Sequence, residues 1–419
     1  MVRQRQVLSQ RAYGADIFRP VLPSLRVPTD ARAEPIKHIC YTSVGMVLNA
    51  HERLARGQFR LDDLLADRPD AIHCRPYVGS EDLRIPNSLA GDCLFAAARI
   101  HYLEYGTARV PSLIRRPTFP ELYDREKVMA GEFGGALHDD GTLDPLGFLA
   151  CNHSIFLFVP WHLLDGIRNR ALLDRERELG RMRSALADVS QLYPLPFLAG
   201  LFNSTPWQRL MEGRASSSVH GRSQPINYAD QCVPVPGASM AAAVGEAANA
   251  ASREGRALGH LLAAGWERRV GGWCAPPLLP PATQTVPLAI ARTRWGITIE
   301  RPTARCGSLR SEGLALLTGQ RVAARFTEGT PVEAMDYLLR ILTPQGDATL
   351  QAAETSGLPV PLRPDDAAAL ERAQLAAEGE AMRREETILR LRREIDEWIG
   401  PLFEALPHPP IEVFDPIAR

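Results

Sequence analysis

The sequence predicts an α+β protein, β-rich to about residue 236 and followed by helices, a small α+β insert and a long C-terminal helix. Three observations carry this reading. Residues 1–236 mix short apolar runs with many Gly, Pro and Asn turn signals, as short strands require. Residues 238–265 are alanine-rich and helical in character. Asp365 and Asp366 follow Pro364 and open a long charged segment, placing acids where a helix macrodipole favours them.

In the β-rich part, Ile39–Val47 and Ser154–Val159 are candidate strands because β-branched and aromatic residues dominate them. Helices are expected at Leu61–Ala66 and Leu163–Leu186. The second carries Arg168, Arg170, Arg175, Arg177, Arg181 and Arg183, the most basic helical surface in the chain. It reads either as a DNA contact or as a solvated face with local Glu–Arg pairs. Val233-Pro234-Val235-Pro236-Gly237 is an expected extended connector, since each proline restricts the residue before it.

After the proline cluster at 276–281, strand-like runs such as Trp295–Glu300 mark the insert. In the final helix Ile388, Leu391, Ile395, Trp398 and Leu402 alternate spacings of three and four, a short heptad seam suited to packing on another helix. The packing helix is either one of this chain, such as 238–265, or one of a partner protein. The expected organisation is an N-terminal extension at 1–37, a β-rich domain at 38–236, a helical segment with a small α+β module at 237–363, and a long helix and tail at 364–419.

A chain of 419 residues with 45% hydrophobic content has material for about two or three domains. The first thirty residues hold no signal-like apolar run, and no stretch of eighteen uncharged apolar residues occurs, so the expectation is a cytoplasmic protein without a membrane partner. Seven cysteines without a repeating spacing argue against a disulfide framework. The net charge of −1 gives no general support to nucleic-acid binding, so any basic surface must be local. Lys37 and Lys127 are the only lysines among 48 cationic side chains. The bias reads either as the mark of a GC-rich genome or as suited to DNA recognition, since arginine's fork reads guanine edges and phosphates.

The same scarcity excludes several enzymes. A P-loop needs Gly-Lys, which does not occur. A two-carboxylate-plus-lysine nuclease needs an acid two positions before its lysine, where Pro35 and Arg125 stand. Amino-group DNA methyltransferases hold the flipped base with Asp/Asn-Pro-Pro-aromatic. The Pro-Pro pairs here read Ala275-Pro276-Pro277-Leu278, Leu279-Pro280-Pro281-Ala282 and His408-Pro409-Pro410-Ile411, and none fits. No Gly-x-Gly turn of the kind that receives S-adenosylmethionine follows an apolar strand.

The most informative strings lie between 72 and 172. Ile72-His73-Cys74-Arg75-Pro76-Tyr77-Val78-Gly79 precedes His101-Tyr102-Leu103-Glu104-Tyr105-Gly106-Thr107 and Arg115-Arg116-Pro117-Thr118-Phe119-Pro120-Glu121-Leu122-Tyr123. Cys151-Asn152-His153-Ser154-Ile155 and Trp161 through Arg170 follow, then Phe197 through Ser204 and Asn227-Tyr228-Ala229-Asp230. In this order they resemble the TaqI-like C-terminal specificity domains of type IIG and IIL restriction–modification adenine methyltransferases, well over about 38–236 and loosely beyond. In that family the domain reads DNA while a Rossmann-like domain on the same chain methylates adenine. The resemblance therefore implies a split enzyme: this chain carries no cofactor or catalytic residue, binds double-stranded DNA, and recruits a separate adenine methyltransferase subunit holding S-adenosylmethionine.

Candidate DNA contacts are Arg75, Tyr77 and Tyr105, then Arg115 and Arg116 presented before the stiff Pro117, Asn152, His153 and Ser154 as short polar groups, and Arg168, Asn169 and Arg170 as a phosphate-positioning group. The competing reading of each is a surface loop, a hydrogen-bonded turn or, for the tyrosines, the core. Ile388, Leu391, Ile395, Trp398 and Leu402 are the candidate partner seam. A zinc site from His38, Cys40, His73, Cys74, Cys151 and His153 is disfavoured, because adjacent or one-residue spacings suit tetrahedral zinc poorly and no metal is expected. Two alternatives stay open: an assembly subunit that keeps the fold without reading DNA, and a nuclease built on Asp139, Asp140, Asn152 and His153.

Overall fold

A computed structural model of the protein describes residues 13–14, 17–20, 33–46, 64–83, 96–97, 99–105, 107, 120–131, 142–144, 150–151, 155–212, 228–269 and 272–404. The chain divides into two units, Met1–Ala263 with Arg384–Arg419, and Ala264–Arg383. The architecture is α+β, as the sequence predicts. No helix among the described residues is long and apolar enough to cross a membrane.

The first unit opens with a hairpin, β1 (Tyr13–Gly14) and β2 (Ile17–Pro20). β3 (Ala33–Pro35) runs through the short helix α1 (Ile36–Ile39) into β4 (Cys40–Val44). β5 (Leu65–Ala66), β6 (His73–Val78), β7 (His101–Glu104), β8 (Lys127–Gly131), β9 (Thr142–Asp144), β10 (Ala150–Cys151) and β11 (Ile155–Pro160) follow. They form two four-stranded sheets, β4-β11-β8-β9 and β10-β6-β7-β5. The first is antiparallel throughout, and the second has one parallel pair, β10 with β6.

β11, Ile155-Phe156-Leu157-Phe158-Val159-Pro160, is paired on both edges and buried at every residue except half-buried Phe156. A strand enclosed in this way is a continuous apolar run of branched and aromatic residues. The two predicted strands are thereby partners, since Phe156 of β11 pairs with Val44 of β4 and Val159 with Tyr41.

Helices α2 (Arg170–Leu179), α3 (Arg183–Gln191), α4 (Leu195–Phe202) and α5 (Thr205–Glu212) follow in quick succession. The single helix expected at Leu163–Leu186 is therefore two, preceded by a 3-10 turn at Trp161–Leu164. Gly180 makes the break: at φ 62° it donates its N–H to the Arg177 and Glu176 carbonyls, closing α2 in the left-handed conformation that glycine adopts without steric cost. The helix expected at Leu61–Ala66 is also corrected. Residues 61–63 lie outside the described residues, and Leu65–Ala66 is strand β5, registered on Leu103 and Tyr102, where sheet pairing overrides local helical preference.

β12 (Cys232–Pro234) pairs with β3, and α6 (Ala238–Ala263) begins just after Gly237. The proline segment at 233–237 is thus a strand and helix entry inside one unit. α6 buries Ala241, Val244, Gly245, Ala248, Ala251, Ser252, Gly255, Leu258 and Leu262, a helical stripe dominated by small residues. α4 lies against it so closely that a Cβ on Gly200 would stand 2.6 Å from Val244 Cγ1.

The second unit contains β13 (Glu267–Arg269), β14 (Gly272–Cys274), β15 (Thr285–Pro287), α7 (Leu288–Trp295), β16 (Thr298–Ile299), β17 (Leu309–Glu312), β18 (Ala315–Thr318), β19 (Arg321–Arg325), α8 (Val332–Leu342), α9 (Leu350–Thr355) and β20 (Pro359–Pro361). Its main sheet runs β16-β19-β18-β17. Trp295, expected in a strand, ends α7, and only Thr298–Ile299 of that run pairs. The core gathers Trp295, Phe326, Tyr337, Leu338 and Val360.

α10 (Pro364–Glu404) begins in this unit, and the division between units falls inside it at Arg383 and Arg384. In its second half Ile388, Leu391, Ile395, Ile399 and Phe403 are buried within this chain. This corrects the expected partner seam. Ile388, Leu391 and Ile395 serve the chain's own core, Trp398 is 42% exposed and Leu402 is half-buried. The seam moves to Ile399 and Phe403 because a straight helix at 3.6 residues per turn drifts from a strict heptad. Arg384 holds the helix to α6 by an ion pair with Glu254 at 2.7 Å.

Candidate nucleic-acid interface

The start of α2 is fixed from the sheet outward. β11 ends at Pro160 and delivers Trp161, which is fully buried and donates its indole N–H to the Lys37 carbonyl at 3.0 Å. Trp161, Leu164, Leu172 and Leu186 pack with Val159 and Leu122 in one cluster, so α2 and α3 are seated by their apolar faces. Asn169 is the N-cap: its backbone is extended and its Oδ1 accepts the Ala171 N–H at 2.9 Å. Arg168 is exposed, and Arg170 is 93% exposed with its Nε 3.5 Å from Asp174.

The six arginines of this stretch divide by partner. Arg175 pairs with Glu178 at 2.8 Å and Arg177 with Asp174 at 2.9 Å. Arg181 lies 3.7 Å from Glu34. Arg183 is mostly buried; it pairs with Glu176 at 2.6 Å and donates to the Ile167 carbonyl at 2.5 Å, clamping the segment that leads into α2. The helix body is therefore a salt-paired face. Its unneutralised positive charge is concentrated at the N-terminal end, where Arg168 has no ion-pair partner among the described residues.

The surroundings of the central strands β6 and β7 are a different environment. Arg75 donates to Asp124 Oδ1 at 2.6 Å and to the Tyr123 carbonyl at 2.5 Å, and its guanidinium stands 5.7 Å from the Tyr105 ring centroid. It is a structural tether rather than a projecting reader, because a nearby acid captures it. Tyr77 is also corrected: it is 4% exposed and packs with Val78, Leu103, Met129 and Leu157, so it cannot reach a ligand. Tyr105 is half-buried over Arg75. Arg115, Arg116, Asn152, His153 and Ser154 lie outside the described residues, as do Asp139 and Asp140 of the alternative nuclease centre.

Two histidines of the disfavoured zinc site have local partners. His38 Nδ1 faces Glu34 at 3.0 Å and His73 Nδ1 faces Asp70 at 2.9 Å. His162 Nδ1 lies 2.7 Å from Ser190 Oγ, yet that hydroxyl already accepts the His162 backbone N–H and donates to the Ala187 carbonyl. Ser190 is fully buried and burial lowers the His162 pKa, which makes the pair a packing contact between the 3-10 turn and α3. His101, set between Asp67 at 3.2 Å and Asp82 at 3.1 Å, was not singled out by the sequence; its acids are far away in the chain, and pairing of β7 with β5 and with β6 collects them.

No family model and no curated relative matches the chain. Among solved structures it is weakly similar to the HsdS subunit from Thermoanaerobacter tengcongensis, with 11% identity over 91% of this chain and 98% of that one and a TM-score of 0.32. It is likewise weakly similar to a structure described as the structural basis underlying complex assembly and conformational transition of the type I R-M system, with 13% identity, 90% and 98% coverage and a TM-score of 0.31. Likenesses at this level carry no functional conclusion. The resemblance to TaqI-like specificity domains therefore rests on the ordered strings themselves.

Proposed function

We propose that this chain is a DNA sequence-recognition subunit that works with a separate adenine methyltransferase, the partner holding S-adenosylmethionine, in a restriction–modification or phage-defence system. The observation that carries the reading is the start of α2, where exposed Arg168 and Arg170 flank the Asn169 cap. A helix N-terminus bears partial positive charge, and two guanidiniums beside it suit a phosphate of the DNA backbone. The ordered strings at 72–172 support the choice of DNA over other anions. The missing Asp/Asn-Pro-Pro-aromatic and Gly-Lys motifs support a non-catalytic role, with methyl transfer on the partner.

The pairing of the α2 arginines with their own acids, together with the net charge of −1, favours a second reading as an assembly subunit that does not read DNA. Selection from a random duplex library by the full chain separates the two. A recognition subunit enriches a short motif over successive rounds. An assembly subunit returns the input distribution.

A further inference from the structure

Within the first unit, α5 and the 389–396 part of α10 line a cleft of about 410 Å³. Its polar wall consists of Thr205, Gln208, Arg209, Arg392, Arg393 and Asp396. We propose that this cleft is a binding site for a phosphate oxyanion. The assignment is separate from the α2 surface and stands whether or not that surface reads DNA.

Charge is the first argument. Three guanidiniums share the cleft with one carboxylate, and that carboxylate is committed elsewhere. Asp396 Oδ1 accepts the Thr205 N–H at 2.7 Å and Oδ2 accepts the Thr205 hydroxyl at 2.6 Å, so it caps the start of α5. It forms no ion pair with any of the three arginines. The cleft is left with an excess of two positive charges, opposite and equal to a phosphate monoester dianion.

Unused donors are the second argument. Arg209 is exposed and makes no hydrogen bond or ion pair among the described residues. Among the described residues Arg393 uses only Nε, on the Leu389 carbonyl at 3.3 Å, which leaves both terminal nitrogens. Arg392 reaches Gln208 through Nη2, yet its Nε is buried without a partner. A buried N–H without an acceptor is costly, and an oxyanion in the cleft would supply one. Guanidinium forks from two helices match the several lone pairs of phosphate better than a single-acceptor ligand.

The test uses the full-length chain and sodium phosphate against sodium chloride at equal ionic strength, read by calorimetry and thermal unfolding. Wild-type protein is expected to bind phosphate saturably and gain thermal stability. Arg209→Gln and Arg393→Gln remove solvent-facing groups and should leave the unliganded unfolding temperature unchanged, while each weakens phosphate binding by about tenfold. Two further probes, 5′-AMP and a short duplex, identify the source. If AMP binding falls in the double variant and duplex binding does not, the ligand is a small phosphate compound; the reverse places a nucleic-acid phosphate in the cleft. Absence of saturable phosphate binding, or equal binding by the double variant, overturns the proposal. So does binding of polyglutamate, but not phosphate, that depends on these arginines, which would make the occupant an acidic protein segment.

Discussion

Arg75 and Asp124 are joined by a 2.6 Å ion pair that ties strand β6 to the turn entering β8. The same guanidinium holds the Tyr123 carbonyl, so Arg75 organises the corner of both sheets. Arg75→Gln is expected to lower stability by about 1–2 kcal/mol, with Asp124 more than half exposed and able to recover water. Urea unfolding measures the loss. Duplex affinity is expected to be unchanged in this variant, and a large selective loss of DNA binding without destabilisation would restore Arg75 as a reader.

Gly200 belongs to one of the strings that carry the family resemblance, and its place in α4 gives that string a packing role. A methyl group there would meet Val244 Cγ1 at 2.6 Å and the Ala248 Cβ at 3.5 Å. Gly200→Ala should therefore cost about 1–3 kcal/mol through overpacking, despite alanine's better helix propensity. A lowered midpoint in chemical denaturation checks it, and an unchanged or raised midpoint would show that α4 and α6 separate readily.

Much of this architecture was legible in the sequence because local and global preferences agree. The β11 run Ile155–Val159 could only be an enclosed strand or a short buried helix, and its branched residues decide the matter. α6 and the start of α10 were likewise visible from alanine content and from Asp365 and Asp366. Gly180 was an available signal for the break between α2 and α3 and was outweighed by the arginine pattern around it. The site was less legible. Which arginine is captured depends on acids brought near by folding, as Asp124 is for Arg75 and Glu176 for Arg183, and neither pairing follows from spacing alone.

Asp70 provides a pH signature for the turn before β6. Its carboxylate accepts the His73 N–H at 2.6 Å and the Ile72 N–H at 2.8 Å, with His73 Nδ1 at 2.9 Å. The His73 backbone hydrogen bond leads, followed by the His73 ring and the Ile72 N–H, and together they hold the carboxyl down at about 2. A folded value below the ordinary one means that the turn's contribution is complete above the ordinary pKa of 3.8 and is lost as pH falls through about 2. The amide resonances of Ile72 and His73 should titrate near pH 2. Midpoints near 3.8 would show that the carboxylate does not accept these bonds.

In the second unit Arg340 of α8 bridges two acids of α10, Glu371 at 2.7 Å and Glu378 at 2.8 Å. Glu371 is only 3% exposed. Arg340→Met would leave two carboxylates together with little water, and the expected loss is about 3–5 kcal/mol. A variant with wild-type stability would mean that solvent already compensates this pair.

The central claim is that the start of α2 positions a DNA phosphate. The most direct measurement is the salt dependence of duplex binding by the full chain, compared with the Arg168→Ala, Arg170→Ala double variant by fluorescence anisotropy. Loss of this one phosphate contact should reduce the slope of log K against log salt by about 0.9 while the fold is retained. An identical slope in the two proteins would contradict the account.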